Sequence, residues 1–310
     1  MFRLTTSLAV LILTSCLFGQ NLQKADDHNS RGLKLYESGD YDAAIEAFNK
    51  AIELTSRLTR PVSAKTSLFP ASGPDGALLA DNIRVVDPRT AAALVNRGNV
   101  YFARSELDRA MQDYDAAIRI LPSFSPAYVS RASVWLIKRD LKRALDDQTR
   151  AIKLDPKNVL GYVSRALTRL DMGDKKAALE DVNAALEIDP NSAEALFRRG
   201  DIHRTTDDFA RALADYERAL RADSDCAGAY IGRAGISFAQ GKLDEAIADY
   251  TRAIKADGRL AQPYKFRGYA LLYQGKDEEA QRDLDRAVRL SPGYRTEVEE
   301  AVKLIKGKRK

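Results

Sequence analysis

The 310-residue chain is poor in the residues that build disulfide frameworks, metal centres and membrane spans. It has two Cys and two His residues. These residues are too few and too far apart to predict a disulfide framework or a metal site. No run of about 20 apolar residues occurs, so no transmembrane helix is predicted. A Gly-rich phosphate loop, a nucleophile elbow and clustered His or Cys are also missing. We therefore expect a protein that is not an enzyme and has no cofactor and no bound metal.

Charged residues are plentiful but nearly balanced along the body of the chain. The net charge is +5, and the segment KGKRK at 306–310 carries four positive charges, so the rest is close to neutral. A nucleic-acid-binding protein shows a broad basic stripe, and we expect no nucleic-acid partner here. The basic tail is interpreted as a solvated end, with docking to an anionic lipid or polymer as the alternative.

The first twenty residues, MFRLTTSLAVLILTSCLFGQ, differ from everything that follows. Arg3 precedes an apolar run at 8–13, and small and polar residues come next, which predicts a secretory signal peptide at 1–20. The segment Leu-Thr-Ser-Cys ending at Cys16 resembles a bacterial lipobox, which implies Cys16 as a lipidated first residue. Cleavage a few residues later, giving a periplasmic or secreted protein, is the second interpretation. An uncleaved cytoplasmic chain is the third.

From residue 91 to residue 294 the chain repeats itself with a period of 34 residues. Stretches such as RAMQDYDAAI, RALADYERAL and EAIADYTRAI place an Asp at the same point of each repeat. The six repeated residues are Asp113, Asp147, Asp181, Asp215, Asp249 and Asp283. Self-similarity at this period is typical of stacked supersecondary units. Each repeat has two 3.6-residue apolar patterns around a polar stretch, which predicts two antiparallel helices joined by a turn.

Small residues recur where the two helices of a repeat must approach each other. The eighth, twentieth and twenty-seventh positions of all six repeats hold only Gly or Ala. Larger side chains there would push the helix axes beyond the usual separation of about 8–10 Å. Four of the six repeats have Pro at position 32, where the missing N–H ends the second helix.

This pattern resembles the tetratricopeptide repeat (TPR) family. Position 4 holds Tyr in four repeats and position 24 holds Tyr in three, beside the Ala at positions 20 and 27 and the Pro at 32. Residues 25–58 fit as a further repeat, with Gly32, Tyr41 and Phe48 in the matching places. The resemblance implies an all-α fold: a helix-turn-helix solenoid, wound as a right-handed superhelix, of about seven repeats with a C-terminal capping helix. The expected repeats occupy 25–58, 91–124, 125–158, 159–192, 193–226, 227–260 and 261–294.

Two segments complete the expected layout. Residues 59–90 are rich in Pro and Gly and predict an inserted loop between the first two repeats. We interpret this loop as a tolerated insertion, with a functional loop as the alternative. Residues 295–310 place Val298, Val302 and Ile305 on one face and are similar to the capping helix of such arrays, followed by the basic tail.

An Arg stands sixteen residues before each repeated Asp. Because the two helices of a repeat are antiparallel, these residues can meet, and we expect each Arg to pair with an Asp of its own or an adjacent repeat. An anion-binding stripe is the alternative. The expected structural ladder joins the six repeated Asp to Arg97, Arg131, Arg165, Arg199, Arg233 and Arg267.

In the TPR family, ligands lie in the concave groove formed by the first helices, and the resemblance implies such a groove here. The ligand-contacting positions are mostly apolar and aromatic in this chain, which marks an interaction surface. For any one residue, packing between helices is the alternative. Asn99 and Lys265 stand where some TPR proteins hold a peptide carboxylate, but in different repeats, so no carboxylate clamp is expected. The expected groove residues are Val95, Asn99, Phe102, Val129, Leu136, Val163, Leu167, Leu170, Phe197, Asp201, Arg204, Ile231, Phe238, Lys265, Tyr269 and Leu272.

The sequence thus predicts a non-enzymatic scaffold or adaptor of the bacterial cell envelope. Its partner is another protein, held as a peptide or a helix in the concave groove. It is similar to bacterial TPR lipoproteins that assist envelope or pilus assembly, and membrane contact is expected only through the N-terminal lipid. The alternative is a structural lipoprotein that acts through self-association, although a capping helix opposes open stacking. The identity of the partner and the oligomeric state stay open.

Overall fold

The structure, a computed structural model, describes residues 2–56 and 87–308, and side chains from residue 19 onward. Within these ranges every regular element is helical. In chain order the helices are α1 (Phe2–Glu37), α2 (Tyr41–Ser56), α3 (Pro88–Ala103), α4 (Leu107–Ile120), α5 (Ser125–Ile137), α6 (Leu141–Leu154), α7 (Val159–Asp171), α8 (Lys175–Ile188), α9 (Ala193–Arg204), α10 (Phe209–Ala222), α11 (Ala227–Ala239), α12 (Leu243–Ala256), α13 (Ala261–Tyr273), α14 (Asp277–Leu290) and α15 (Arg295–Lys308).

Consecutive helices pack as pairs, from α1 with α2 to α13 with α14, and short turns join the two members of each pair. The described part of the chain therefore contains seven helix-turn-helix repeats, and α15 follows the last. This arrangement confirms the predicted all-α class and TPR-type solenoid. The chain divides into two compact units, Met1–Pro156 and Lys157–Lys310. The first contains α1 to α6, and the second contains α7 to α15.

Small residues let the paired helices approach closely, as their spacing predicts. The Ala residues at positions 20 and 27 of every repeat are at most 2% exposed. In the fifth repeat, a Cβ placed on Gly200 would lie 2.7 Å from the ring of Tyr216, closer than real Cβ contacts come. The Tyr216 ring is 0% exposed, so α9 and α10 pack directly against each other around it.

Side-chain caps and prolines set the ends of the helices. In the fifth repeat, Asp207 adopts φ 57 and Asp208 then caps α10, its carboxylate accepting a hydrogen bond from the backbone N–H of Arg211 at 3.2 Å. At the other end of a repeat, α4 stops at Ile120, ahead of Pro122, because a residue before proline disfavours the helical conformation.

Two boundaries differ from the sequence prediction. The second repeat starts at Pro88 rather than at 91, because the Asp87 carboxylate accepts from the Arg89 N–H at 2.8 Å and Pro suits the first helical position. The rest of the predicted 59–90 insertion, up to residue 86, lies outside the described residues. The first repeat uses only the later part of α1, which runs unbroken from Phe2 to Glu37.

The structure describes the N-terminal segment only in part. The backbone of Cys16 lies within α1, and its side chain is outside the described residues. Among the helices that the structure describes, none combines the length and the apolar character needed to cross a membrane.

Candidate interaction surface

Each ladder arginine binds the aspartate sixteen residues further along in its own repeat. In the fifth repeat, Arg199 Nε donates to Asp215 Oδ2 at 2.8 Å and Nη2 donates to Oδ1 at 2.7 Å. The other pairs are Arg97–Asp113, Arg131–Asp147, Arg165–Asp181, Arg233–Asp249 and Arg267–Asp283. The six carboxylates are 3% to 8% exposed, so each is a buried acceptor with its own two-pronged donor. The hydrogen bond to Asp215 raises the pKa of Arg199 above its ordinary value.

Four ladder arginines also tie their repeat to the preceding one. Arg199 Nη1 donates to Asn183 Oδ1 at 3.0 Å, and Arg267 Nη1 donates to Thr251 Oγ1 at 2.9 Å. The matching contacts in the first compact unit are Arg97–Asn49 and Arg131–Asp115. All four acceptors stand at position 25 of the preceding repeat. Because neighbouring side chains occupy these guanidinium groups, the geometry favours the structural interpretation over an anion-binding stripe.

The apolar groove residues predicted in the second to fifth repeats are buried or half-buried. Val95 and Val163 are buried, whereas Phe102, Val129, Leu136, Leu167, Leu170 and Phe197 are half-buried. The Phe197 ring is covered by the next repeat, since a Cβ on Gly228 would lie 2.5 Å from it. The guanidinium of Arg198 lies 4.6 Å from the centre of the same ring. For this residue the packing alternative describes the structure.

Two predicted polar groove residues have a partner within their own repeat. The Tyr114 hydroxyl donates to Asn99 Oδ1 at 2.8 Å. The Tyr216 hydroxyl donates to Asp201 Oδ1 at the same distance of 2.8 Å. Both bonds join position 24 of the second helix to position 9 of the first. Asn99 and Asp201, which lie on the first helices of their repeats, therefore also hold the two helices of a repeat together.

The groove positions of the last repeat lie beneath α15, which corrects the prediction that they face an open groove. Lys265 Nζ donates to the Glu297 carboxylate at 2.8 Å and 3.0 Å and lies 4.0 Å from the ring centre of Tyr294. Tyr269 and Leu272 are 7% and 1% exposed in a core that includes Val298 and Ile305 of α15. The apolar face of α15 covers these residues, because an amphipathic helix is stabilised by burying its apolar face against another element.

An open recess lies among the first helices of the second compact unit. Its volume is about 390 Å³, and it lies between α9, α11 and α13, with α12 beneath. We name it the Tyr250 recess. Its lining includes Ile231, Gly235, Phe238, Tyr250, Gln262 and Phe266, together with the charged residues Arg204 and Asp207.

The walls of the Tyr250 recess are aromatic. The rings of Tyr250 and Phe266 stack with centres 6.1 Å apart at 18°, and Phe238 meets Tyr273 edge-on at 5.9 Å. Tyr250 is 1% exposed, while Ile231, Phe238 and Phe266 are half-buried, so their open faces form the apolar surface. A recess with apolar walls and a few polar groups is the form that ligand sites in proteins usually take.

The recess combines predicted and unpredicted residues. Arg204, Ile231 and Phe238 belong to the predicted groove, and the structure brings these three together. Gln262, Phe266 and Tyr250 were not predicted. Gln262 occupies position 2 of its repeat, which the resemblance to the family implies as a ligand-contacting position of the first helix, and this signal could have identified it.

Helix pairs packed in sequence within each compact unit, with an open apolar recess on first helices of the second unit, are the features of an interaction solenoid. Family models described as "Tetratricopeptide repeat" match residues 25–57, 75–125, 163–213 and 202–261. Together these matches span more than half of the chain, and the chain belongs to the tetratricopeptide repeat family. Proteins of this family mediate protein–protein interactions and are typically non-catalytic scaffolds.

Two curated relatives share part of this array. The small glutamine-rich tetratricopeptide repeat-containing protein 2 of Mycosarcoma maydis is 28% identical over 106 residues, which is 34% of this chain and 30% of the relative. The Hsp70-Hsp90 organizing protein of Triticum aestivum is 28% identical over 101 residues, 32% of this chain and 17% of the relative. The chain therefore spans less than a third of the length of either relative.

Solved structures show the same fold. A tetratricopeptide repeat protein from Parabacteroides merdae ATCC 43184 is similar with a TM-score of 0.63 and 20% identity, over 91% of this chain and 99% of that chain. The pilF protein of Pseudomonas aeruginosa is similar with a TM-score of 0.57 and 19% identity, over 66% of this chain and 92% of that chain. At these identities the likeness concerns the fold alone.

Proposed function

We propose that this protein is an exported, non-enzymatic adaptor of the bacterial cell envelope that binds a partner polypeptide in the Tyr250 recess. The observation that carries this proposal is the recess itself, about 390 Å³ in volume and walled by Ile231, Phe238 and Phe266. Half-buried aromatic side chains around a pocket are typical hot spots of protein interfaces. A curated relative whose name describes it as organizing Hsp70 and Hsp90 also supports a protein as the partner.

The envelope location rests on the N-terminal sequence. One positive charge, a short apolar run and a Leu-Thr-Ser-Cys segment ending at Cys16 form the layout of an exported lipoprotein. Intact-mass measurement of the native protein tests this directly. A chain that begins at Cys16 with added lipid mass, or near residue 20 without it, supports export. A mature chain that retains Met1 contradicts it.

Affinity capture with a matched pair of variants tests the proposed binding site. The native protein is crosslinked and captured from membrane and soluble envelope fractions, beside Phe238→Glu and Leu304→Glu. Phe238→Glu places a charge in the recess, and Leu304→Glu places the same charge on α15 at a side chain that is 59% exposed. We expect the first variant to weaken partner binding by about 2 kcal/mol or more, which is a factor of about thirty.

The control variant separates an effect of charge in the recess from an effect of added charge on the surface. Leu304→Glu is expected to capture the same partner in the same amount as the native protein, and circular dichroism checks that both variants fold. Equal capture by all three proteins would place the binding function outside the recess. Capture of only further copies of the chain would support the self-association alternative.

A further inference from the structure

Three repeats carry Tyr at position 24, and two of these hydroxyls are satisfied within the protein. Tyr114 donates to the amide oxygen of Asn99, and Tyr216 donates to a carboxylate oxygen of Asp201, both at 2.8 Å. In each case the acceptor stands at position 9 of the same repeat. The fold therefore provides a side-chain oxygen for this hydroxyl wherever position 9 has one.

The sixth repeat breaks this pairing because its position 9 is Gly235. A Cβ built on Gly235 would lie 4.0 Å from the Tyr250 hydroxyl oxygen, so the glycine opens the space that an acceptor side chain fills elsewhere. Within the described residues no hydrogen bond satisfies the Tyr250 hydroxyl, although the residue is only 1% exposed and lines the recess. The hydroxyl is therefore left as a donor at the wall of the recess, where an oxygen atom of a ligand could accept its hydrogen bond.

The hydroxyl is kept as a hydrogen-bond donor. Burial raises the pKa of Tyr250 well above its ordinary value, and the positive charge of Arg204 opposes this only in part. The phenol therefore keeps its proton at neutral pH and faces the recess as an O–H group. The ligand atom that completes the site is an acceptor oxygen, as it is for Tyr114 and Tyr216.

A cation lies at the recess near the Tyr250 hydroxyl. Arg204 lines the recess, and its Nε and Nη2 pair with Asp201 Oδ1 at 3.4 Å and 3.3 Å, which balances part of its charge. Asp207 also lines the recess, and both Arg204 and Asp207 are exposed, so solvent and salt screen both charges until a ligand covers them. A carboxylate near Tyr250 and Arg204 would accept charge-assisted hydrogen bonds, which are about twice as strong as neutral ones.

We propose that the Tyr250 recess recognises a partner peptide with a bulky apolar side chain beside an Asp or Glu. The apolar side chain packs among Ile231, Phe238 and Phe266. The acidic side chain accepts a hydrogen bond from the Tyr250 hydroxyl, beside the guanidinium of Arg204. This inference rests on the proposed function, because it names the peptide chemistry that the recess selects.

A random dodecapeptide library displayed on phage tests the inference without a known partner. The full chain is immobilised and peptides are selected by the native protein, Tyr250→Phe, Gly235→Asn and Gly235→Ala. Gly235→Asn restores the acceptor that Asn99 supplies in the second repeat, and it fills the space beside the hydroxyl. Gly235→Ala adds only a Cβ at an ordinary contact distance and serves as the matched control.

The expected result has two parts. The native protein and Gly235→Ala enrich peptides with a bulky apolar residue beside Asp or Glu. For a synthetic peptide of the enriched sequence, Tyr250→Phe weakens binding by about ten- to a hundred-fold, the loss of one hydrogen bond to a charged group. Gly235→Asn weakens it at least as much. Replacing the acidic residue of the peptide by Leu has a smaller effect on Tyr250→Phe than on the native protein, because only the contact with Arg204 is then left to lose.

Three results would overturn the inference. They are no enrichment by the native protein, enrichment without acidic residues, and equal binding by the native protein, Tyr250→Phe and Gly235→Asn. If Phe238→Glu abolishes binding while the Tyr250 and Gly235 variants bind normally, the peptide site stands and only its acidic specificity fails. If peptides also bind Phe238→Glu normally, the recess is not the binding site and the proposed function fails as well.

Discussion

Replacing Arg199 by Met is expected to lower the free energy of unfolding by about 3–5 kcal/mol, the range for breaking one side of a buried ion pair. The substitution leaves the Asp215 carboxylate, 4% exposed, without the guanidinium that donates two hydrogen bonds to it. It also removes the bond from Arg199 to Asn183 of the preceding repeat. Urea unfolding followed by circular dichroism measures the loss.

Two further variants separate the buried pair from surface charge. Arg259 pairs with Asp257 while 90% exposed, so Arg259→Met is expected to leave the free energy of unfolding nearly unchanged. The double variant Arg199→Met with Asp215→Leu should recover much of the loss, because no buried charge is left unpaired. If Arg199→Met unfolds like the native protein but binds its partner weakly, the ladder is an anion-binding stripe and the structural interpretation is wrong.

Replacing Tyr216 by Ala is expected to lower the free energy of unfolding by about 3–5 kcal/mol, as for other large-to-Ala changes in well-packed cores. Its ring is 0% exposed and fits against two glycines. A Cβ would lie 2.7 Å from the ring on Gly200 and 2.4 Å on Gly232. The cavity would therefore open both within the fifth repeat and at its contact with α11, and urea unfolding again reports the effect.

Tyr216→Phe is the matched control, since it keeps the ring and removes only the hydroxyl. The lost hydrogen bond to Asp201 is expected to cost about 1 kcal/mol, and up to about 3 kcal/mol with a charged acceptor. The ring should account for the larger part of the Tyr216→Ala effect. Equal destabilisation by the two variants would contradict the packing role of the ring and leave the hydrogen bond as its main contribution.

The repeat architecture could be predicted because the same physical requirements recur every 34 residues. Ala212 and Ala219 stand where helices touch, Pro122 stands just after a helix end, and the Arg and Asp of each ladder pair lie sixteen residues apart. Each of these residues follows from local geometry within one repeat. A sequence with this period therefore specifies its helix pairs before their packing is known.

The open part of the surface could not be predicted from position alone. Tyr269 and Leu272 occupy family groove positions, but whether they face solvent depends on where α15 packs, which is a long-range choice between apolar surfaces. Phe197 is covered for a similar reason, because Gly228 lets α11 approach its ring. The neighbouring helix determines whether a groove residue is buried, so the identity of that residue alone does not predict its burial.

Tyr250 could have been found from the sequence with one more rule. Positions 9 and 24 of a repeat meet in space, as the Asn99–Tyr114 and Asp201–Tyr216 bonds show. A repeat with Tyr at 24 and Gly at 9 therefore leaves a hydroxyl without its usual acceptor. The sixth repeat has this combination. The combination can be read from the sequence, but the three-dimensional pairing of positions 9 and 24 is needed to recognise that it leaves the hydroxyl without an acceptor.

Site-specific photocrosslinking in cells of the source organism tests the central claim, that a partner polypeptide binds the Tyr250 recess. A benzophenone amino acid is placed at Gln262, which is exposed and lines the recess, and in a second strain at Leu304 on the outside of α15. We predict a light-dependent adduct with one other protein from position 262, lost with Phe238→Glu and absent from position 304. The same adduct from both positions, or an adduct from 304 alone, would contradict the account.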